Sequence, residues 1–250
     1  MKRSSLIILG LDAAFMALLI ISSYIKGATS DVLYYLAFAI PILIGIAYLA
    51  VKGRGDGDVI AAFSLKLDKD GARLCLPLAF PSIGLVTVFA FLTSLILTAM
   101  GLENNTSFTE PFAIAVMLHA LLPAIREELL FRLIPIGVLS REHSASFTLL
   151  FSAAIFAIAH LDPFKIPYAF IAGMIFGSIF LATRSVIPSI VIHFINNLLS
   201  LINIYYNADI YVYIGIAVLS VISLIYVIMK RNIYIKALKG IFTSHGLQRD

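Results

Sequence analysis

The stretch Ala120 to Pro135, ALLPAIREELLFRLIP, restricts what this chain can fold into more than any other part of it. It lies inside an apolar run from Pro111 to about Ser140, long enough to cross a bilayer, yet it carries Arg126, Glu127, Glu128 and Arg132. Each such charge costs ~2.5–3.5 kcal/mol at mid-membrane, against ~0.3–0.6 kcal/mol gained per Leu, Ile or Phe. A helix of this composition barely inserts alone, so its charged face has to be covered by protein or water. Glu128 and Arg132 stand one helical turn apart and can pair on their own helix. Glu127 projects about 100° away and is free to face a cavity. The partner of Arg126 is not legible.

The rest of the chain agrees with a membrane setting. Its 250 residues are 61% hydrophobic and 13% charged, where soluble domains run at roughly 45–50% and 25%. The fold class expected is an all-α polytopic integral membrane protein of about eight transmembrane helices around a polar intramembrane cavity. A single cysteine, Cys75, excludes an intramolecular disulfide and a thiolate cluster, and reads as a packed core residue. The basic residues lie between the apolar runs, as membrane orientation requires, and do not point to nucleic acid. Lys2 and Arg3 precede a run too long for a signal-peptide core, and no cleavage site is evident.

Eight runs approach the ~20 residues of a span: 5–24, 32–51, 76–100, 111–140, 145–161, 166–183, 186–206 and 210–229. Assigned to alternate sides, the loops and tails carry fourteen Lys and Arg on one side and only Lys26 and Lys165 on the other. The positive-inside rule then places both termini in the cytoplasm of a cell-membrane protein. The segment 52–75 reads as a solvated loop or interfacial helix. The tail from Lys230 to Lys239 reads as a stop-transfer flank or a helix lying on the membrane surface. Gly173 and Gly177 are spaced for close helix contact. One membrane domain is expected, with an N-terminal three-helix region over 1–110, a core over 111–206, and a last span with basic tail over 207–250.

Polar groups elsewhere in the spans are few. Phe156 and His160 stand four apart in the fifth, and His193 and Asn197 four apart in the seventh, so each pair shares a helix face. Groups of this kind need partners in hydrocarbon, and three helices carrying them can supply one another. Each also has a structural reading: His160 as an interfacial residue, His193 and Asn197 as helix–helix hydrogen bonds, Glu128 and Arg132 as a structural pair. Asp12 and His119 belong to no recognisable spacing and read as packing or cavity-lining residues.

In order, Glu127-Glu128-x-x-x-Arg132, Phe156-x-x-x-His160 and His193-x-x-x-Asn197 resemble the CPBP family of intramembrane proteases, also called the Abi or type II CAAX prenyl endopeptidase family. The resemblance covers about 111–206. It implies hydrolysis of a peptide bond within the membrane by glutamate-activated water. Glu127 would be the general base, aided by His160, with His193 and Asn197 stabilising the oxyanion. Glu128 and Arg132 would hold the fourth helix, and Phe156 would wall the cavity. The chemistry is consistent, since amide hydrolysis needs a base for water and donors aimed at a developing oxyanion. The chain has neither a Gly-x-Ser-x-Gly elbow nor a His-Glu-x-x-His helix.

No cofactor is favoured. Zinc held by Glu127, His160 and His193 with a water is the alternative, and the family is often labelled metalloprotease. The expected partners are the bilayer and a peptide or lipidated-protein substrate within it. Two further functions stay open: a non-catalytic immunity or binding protein using the same cavity, and a proton-coupled transporter. One feature fits poorly. By helix rise, Glu127 lies ~20 Å from the cytoplasmic end of its span, Asn197 ~17 Å and His160 ~24 Å. Tilt, or a bend near Pro123, would have to bring them level, and the side of substrate entry stays open.

Overall fold

The computed structural model describes residues 3–25, 28–53, 69–103, 108–140, 143–207 and 209–243. Among them are α1 (Arg3–Tyr24), α2 (Ala28–Gly53), α3 (Lys69–Ala99), α4 (112–139), α5 (Ala145–Ile158), α6 (Ile166–Thr183), α7 (Val186–Tyr206), α8 (Asp209–Met229) and α9 (Arg231–Thr243). No strand occurs among the described residues. The protein is an all-α, polytopic integral membrane protein.

Among the described residues, six helices are long and apolar enough to cross a membrane: α1, α2, α3, α6, α7 and α8. The other two expected spans differ for identifiable reasons. The 14 residues of α5 span about 21 Å, short of a ~30 Å hydrocarbon layer. Helix α4 is continuous, but its register slips at two π-helical turns, Val116–Leu121 and Leu129–Leu133. Each turn lies just ahead of a proline, Pro123 or Pro135, which opens the next α-helical segment. Proline lacks an N–H and its ring crowds the carbonyl four residues back, and a widened turn relieves that crowding. Beneath Pro135 the carbonyl so deprived is that of Phe131, and Ser152 Oγ on α5 donates to it.

Successive helices run antiparallel, and two apolar clusters mark the ends of the bundle. Ile8, Leu49, Val138 and Leu139 pack at one end. Phe108, Phe112, Leu201 and Tyr205 pack at the other, where Tyr205 Oη donates to the Glu110 carbonyl across 2.6 Å. Between them one core joins α1 to α8 through Phe15, Phe38, Cys75, Phe131, Phe156, Phe176, Ile192 and Ile216, so Cys75 is the packed residue expected. Gly173 allows α6 to lie against α5, since a Cβ there would come within 2.9 Å of the Ala153 Cα.

The tail is helical from Arg231 to Thr243, with Tyr234 buried, and packs against α5, α6 and α8. A helix folded back on the end of the bundle thus replaces the simple flank. Most of the 52–75 loop, residues 54–68, lies outside the described residues.

Candidate active site

The two neighbouring glutamates of α4 separate as the helical period requires. Glu128 is fully buried, whereas the Glu127 side chain keeps 13% of its exposure, enough to reach the cavity. Glu128 Oε2 lies 3.3 Å from Arg132 Nε. The Arg132 guanidinium has no hydrogen-bond partner among the described residues and lies 4.2 Å from the Phe156 ring centre and 5.8 Å from that of Phe176. Its charge is met by one carboxylate and two aromatic faces.

The other oxygen of Glu128 performs a task that spacing did not disclose. Glu128 Oε1 accepts from His193 Nδ1 at 2.9 Å, and His193 Nε2 lies 3.8 Å from Glu127 Oε2. His193 is thus held between adjacent carboxylates of α4, with its ring stacked on Phe176 at 5.1 Å. An ionised carboxylate only accepts, so the Glu128 contact fixes a proton on Nδ1. In the neutral ring Nε2 is then an acceptor; it donates to an oxyanion only from the imidazolium, with Glu127 and Glu128 as counter-charges.

His160 lies just beyond the end of α5. Its Nδ1 donates to the Phe156 carbonyl at 2.9 Å, which leaves Nε2 with a lone pair. The Phe156 ring meets both imidazoles edge-on, at 4.9 Å from His160 and 5.8 Å from His193. On α7, Asn196 Nδ2 donates to Asn197 Oδ1 at 3.4 Å, so the amide nitrogen is the end of Asn197 left to donate.

Glu127, His160, His193, Asn197 and Phe156 all line one cavity of about 840 Å³. They share this cavity despite the unequal depths expected from helix rise. Glu128 and Arg132 stand behind the wall. Residues not singled out from the sequence also line the cavity, among them Tyr34, Tyr168 and Asn196. The partner of Arg126 proves to be α2: Arg126 Nη2 donates to Tyr34 Oη, and the guanidinium lies 4.3 Å from the Phe38 ring centre. It also lies 3.6 Å from Glu127 Oε1. His119 lines the cavity and pairs with Glu110. At the membrane boundary, the Glu110 carboxyl is held below its usual range by its own backbone N–H and then by the His119 ring. Asp12 lies buried in α1, with Oδ2 unpartnered among the described residues.

Among the described residues no three His, Cys, Asp or Glu side chains are grouped to hold a metal ion. The zinc set Glu127, His160 and His193 is thus not gathered around one point as placed, although both Nδ1 atoms donate elsewhere and leave Nε2 as the free nitrogen of each ring. The arrangement holds a carboxylate, two oriented imidazoles and an amide around one space. A water beside Glu127 and His193 would bridge their 3.8 Å gap.

Residues 109–199 match a family model described as Rce1-like, Type II CAAX prenyl endopeptidase Rce1-like. No curated protein and no solved structure matches. All three motifs fall inside the matched residues.

Proposed function

With residues 109–199 carrying the pattern of the type II CAAX prenyl endopeptidases, we propose that this membrane-embedded peptidase hydrolyses a peptide bond with water activated by Glu127. The observation that carries the reading is the placement of His193, with Nδ1 on Glu128 and Nε2 facing Glu127 at the cavity wall. Glu127 takes a proton from water held in the gap, and His160 Nε2 offers a second acceptor for it. As water adds to the amide carbon, the carbonyl oxygen gains charge, which the Asn197 amide and protonated His193 stabilise. The proton then passes to the leaving nitrogen as the C–N bond breaks. No step in this reading is routed through a metal.

The test is cleavage of a panel of lipidated and unlipidated peptides by detergent-purified protein, with products identified by mass. Glu127→Gln is expected to lower turnover by roughly 10²–10⁴-fold while the variant still inserts and folds. Unchanged cleavage in that variant would remove the proposal. A chelator is expected to leave the wild-type rate intact; loss of activity restored by zinc would replace the water mechanism with a metal-assisted one.

A further inference from the structure

The cavity opens toward one end of the bundle, and that end is identifiable by charge. Its outer wall is built from the start of α2 at Tyr35, the end of α3 at Ser94, the start of α4 at His119, the α5–α6 connection at Lys165, the end of α7 at Ile204 and the start of α8 at Tyr213. In an antiparallel bundle all six positions lie at the same end. The opposite end is closed by the Ile8, Leu49, Val138 and Leu139 cluster.

The basic residues divide along the same axis. Arg3, Lys52, Lys69, Arg184, Lys230 and Arg231 stand at the helix ends of the closed side. At the open side, Lys165 is the one basic residue outside the spans among the described residues. Over the whole chain the division is fourteen to two. Lys and Arg in short loops remain on the cytoplasmic side during insertion, whereas Asp and Glu have little influence.

We propose that the cavity opens on the face of the membrane away from the cytoplasm, and that its substrate is the outward-facing juxtamembrane segment of a membrane-anchored peptide. The substrate clause rests on the peptidase reading above; the orientation does not. A volume of about 840 Å³ accommodates several residues of an extended peptide. The aromatic lining from Tyr34, Tyr35, Phe91, Phe108, Tyr168 and Tyr213 suits apolar side chains next to a lipid boundary.

Two single-cysteine proteins in a Cys75→Ala background test the orientation. Thr109→Cys lies at the open end and Asn232→Cys at the closed end, both at exposed positions and neither altering the charge count. A membrane-impermeant maleimide added to intact cells is expected to label Thr109→Cys at least ~10-fold more than Asn232→Cys, and the two equally once the membrane is opened. The reverse preference overturns the proposal. In proteoliposomes sorted by the same labelling, a synthetic single-span peptide with a fluorogenic amide in its juxtamembrane segment is then offered from either side. Cutting only from the Thr109 side is expected, and cutting only from the Asn232 side overturns the substrate assignment. Glu127→Gln is run in parallel. If it cuts as the wild type does, the peptidase mechanism falls while the labelling still decides the orientation.

Discussion

Glu128 does not itself line the cavity, yet its two oxygens meet His193, which does, and Arg132 behind it. Replacing Glu128 with Gln removes the charge that holds the His193 tautomer and leaves Arg132 with aromatic faces alone. Loss of a tautomer-setting carboxylate costs up to ~10⁴-fold in turnover where it has been dissected. For Glu128→Gln we expect a fall of roughly 10²–10⁴-fold in kcat with KM nearly unchanged, because the residue is fully buried and meets no substrate. A rise in KM at constant kcat would assign it to substrate binding. Arg132→Met tests the other side of the pair. Removing one member of a buried ion pair strands the other, typically at ~3–5 kcal/mol, so unfolding in detergent is expected at correspondingly lower denaturant. Spacing made part of this legible: four-residue intervals paired Glu128 with Arg132 and set Glu127 apart. The Glu128–His193 contact was not legible, because it joins helices 65 positions apart in sequence. Nothing on either helix alone specifies which of two adjacent carboxylates will meet the ring. The Arg126–Tyr34 contact was hidden for the same reason.

Among the helices, α4 shows how a sequence irregularity is converted into placement. Pro123 and Pro135 announce a bend, but not that each will be preceded by a widened turn, nor that a neighbouring helix will supply the missing donor. Ser152 is that donor for the Phe131 carbonyl, in a region with no water to take its place. Ser152→Ala is expected to destabilise the protein by about 1–3 kcal/mol, the cost of a buried acceptor left unmade. Ser178→Ala provides the contrast. Its hydroxyl donates to the Met174 carbonyl within one helix, which already receives the ladder N–H, so little change is expected. Thermal unfolding of the two variants in one detergent decides the matter, and equal losses would show that the Phe131 carbonyl does not depend on Ser152. The spacing of Gly173 did forecast a close approach, because a missing Cβ is a local property that needs no knowledge of the partner. The tail helix was less legible, since alternating basic and apolar residues suit a flank and a packed amphipathic helix alike.

Across the whole molecule, the residues that carry the family resemblance do not build their own site. The matched segment 109–199 supplies Glu127, His160, His193 and Asn197. The Arg126 beside Glu127 is held by Tyr34 and Phe38 of α2, and the cavity is walled by Ile83 and Val86 of α3 and Ile216 of α8. The core likewise runs unbroken from Phe15 to Ile216. An expressed segment 109–199 is therefore expected to insert without cleaving, because α2, α3 and α8 are needed to cover its charged face. Two fragments meeting between α3 and α4, 1–105 and 106–250, are expected to recover cleavage when made in the same membrane. Interhelical packing, not chain continuity at that junction, holds the three N-terminal helices to the rest. Activity of the short segment by itself would show that the helices outside the match are dispensable to the chemistry. Failure of the paired fragments, both present and inserted, would show that the connection after α3 positions the site. Co-purification of the fragments together with the rate on one peptide separates these outcomes.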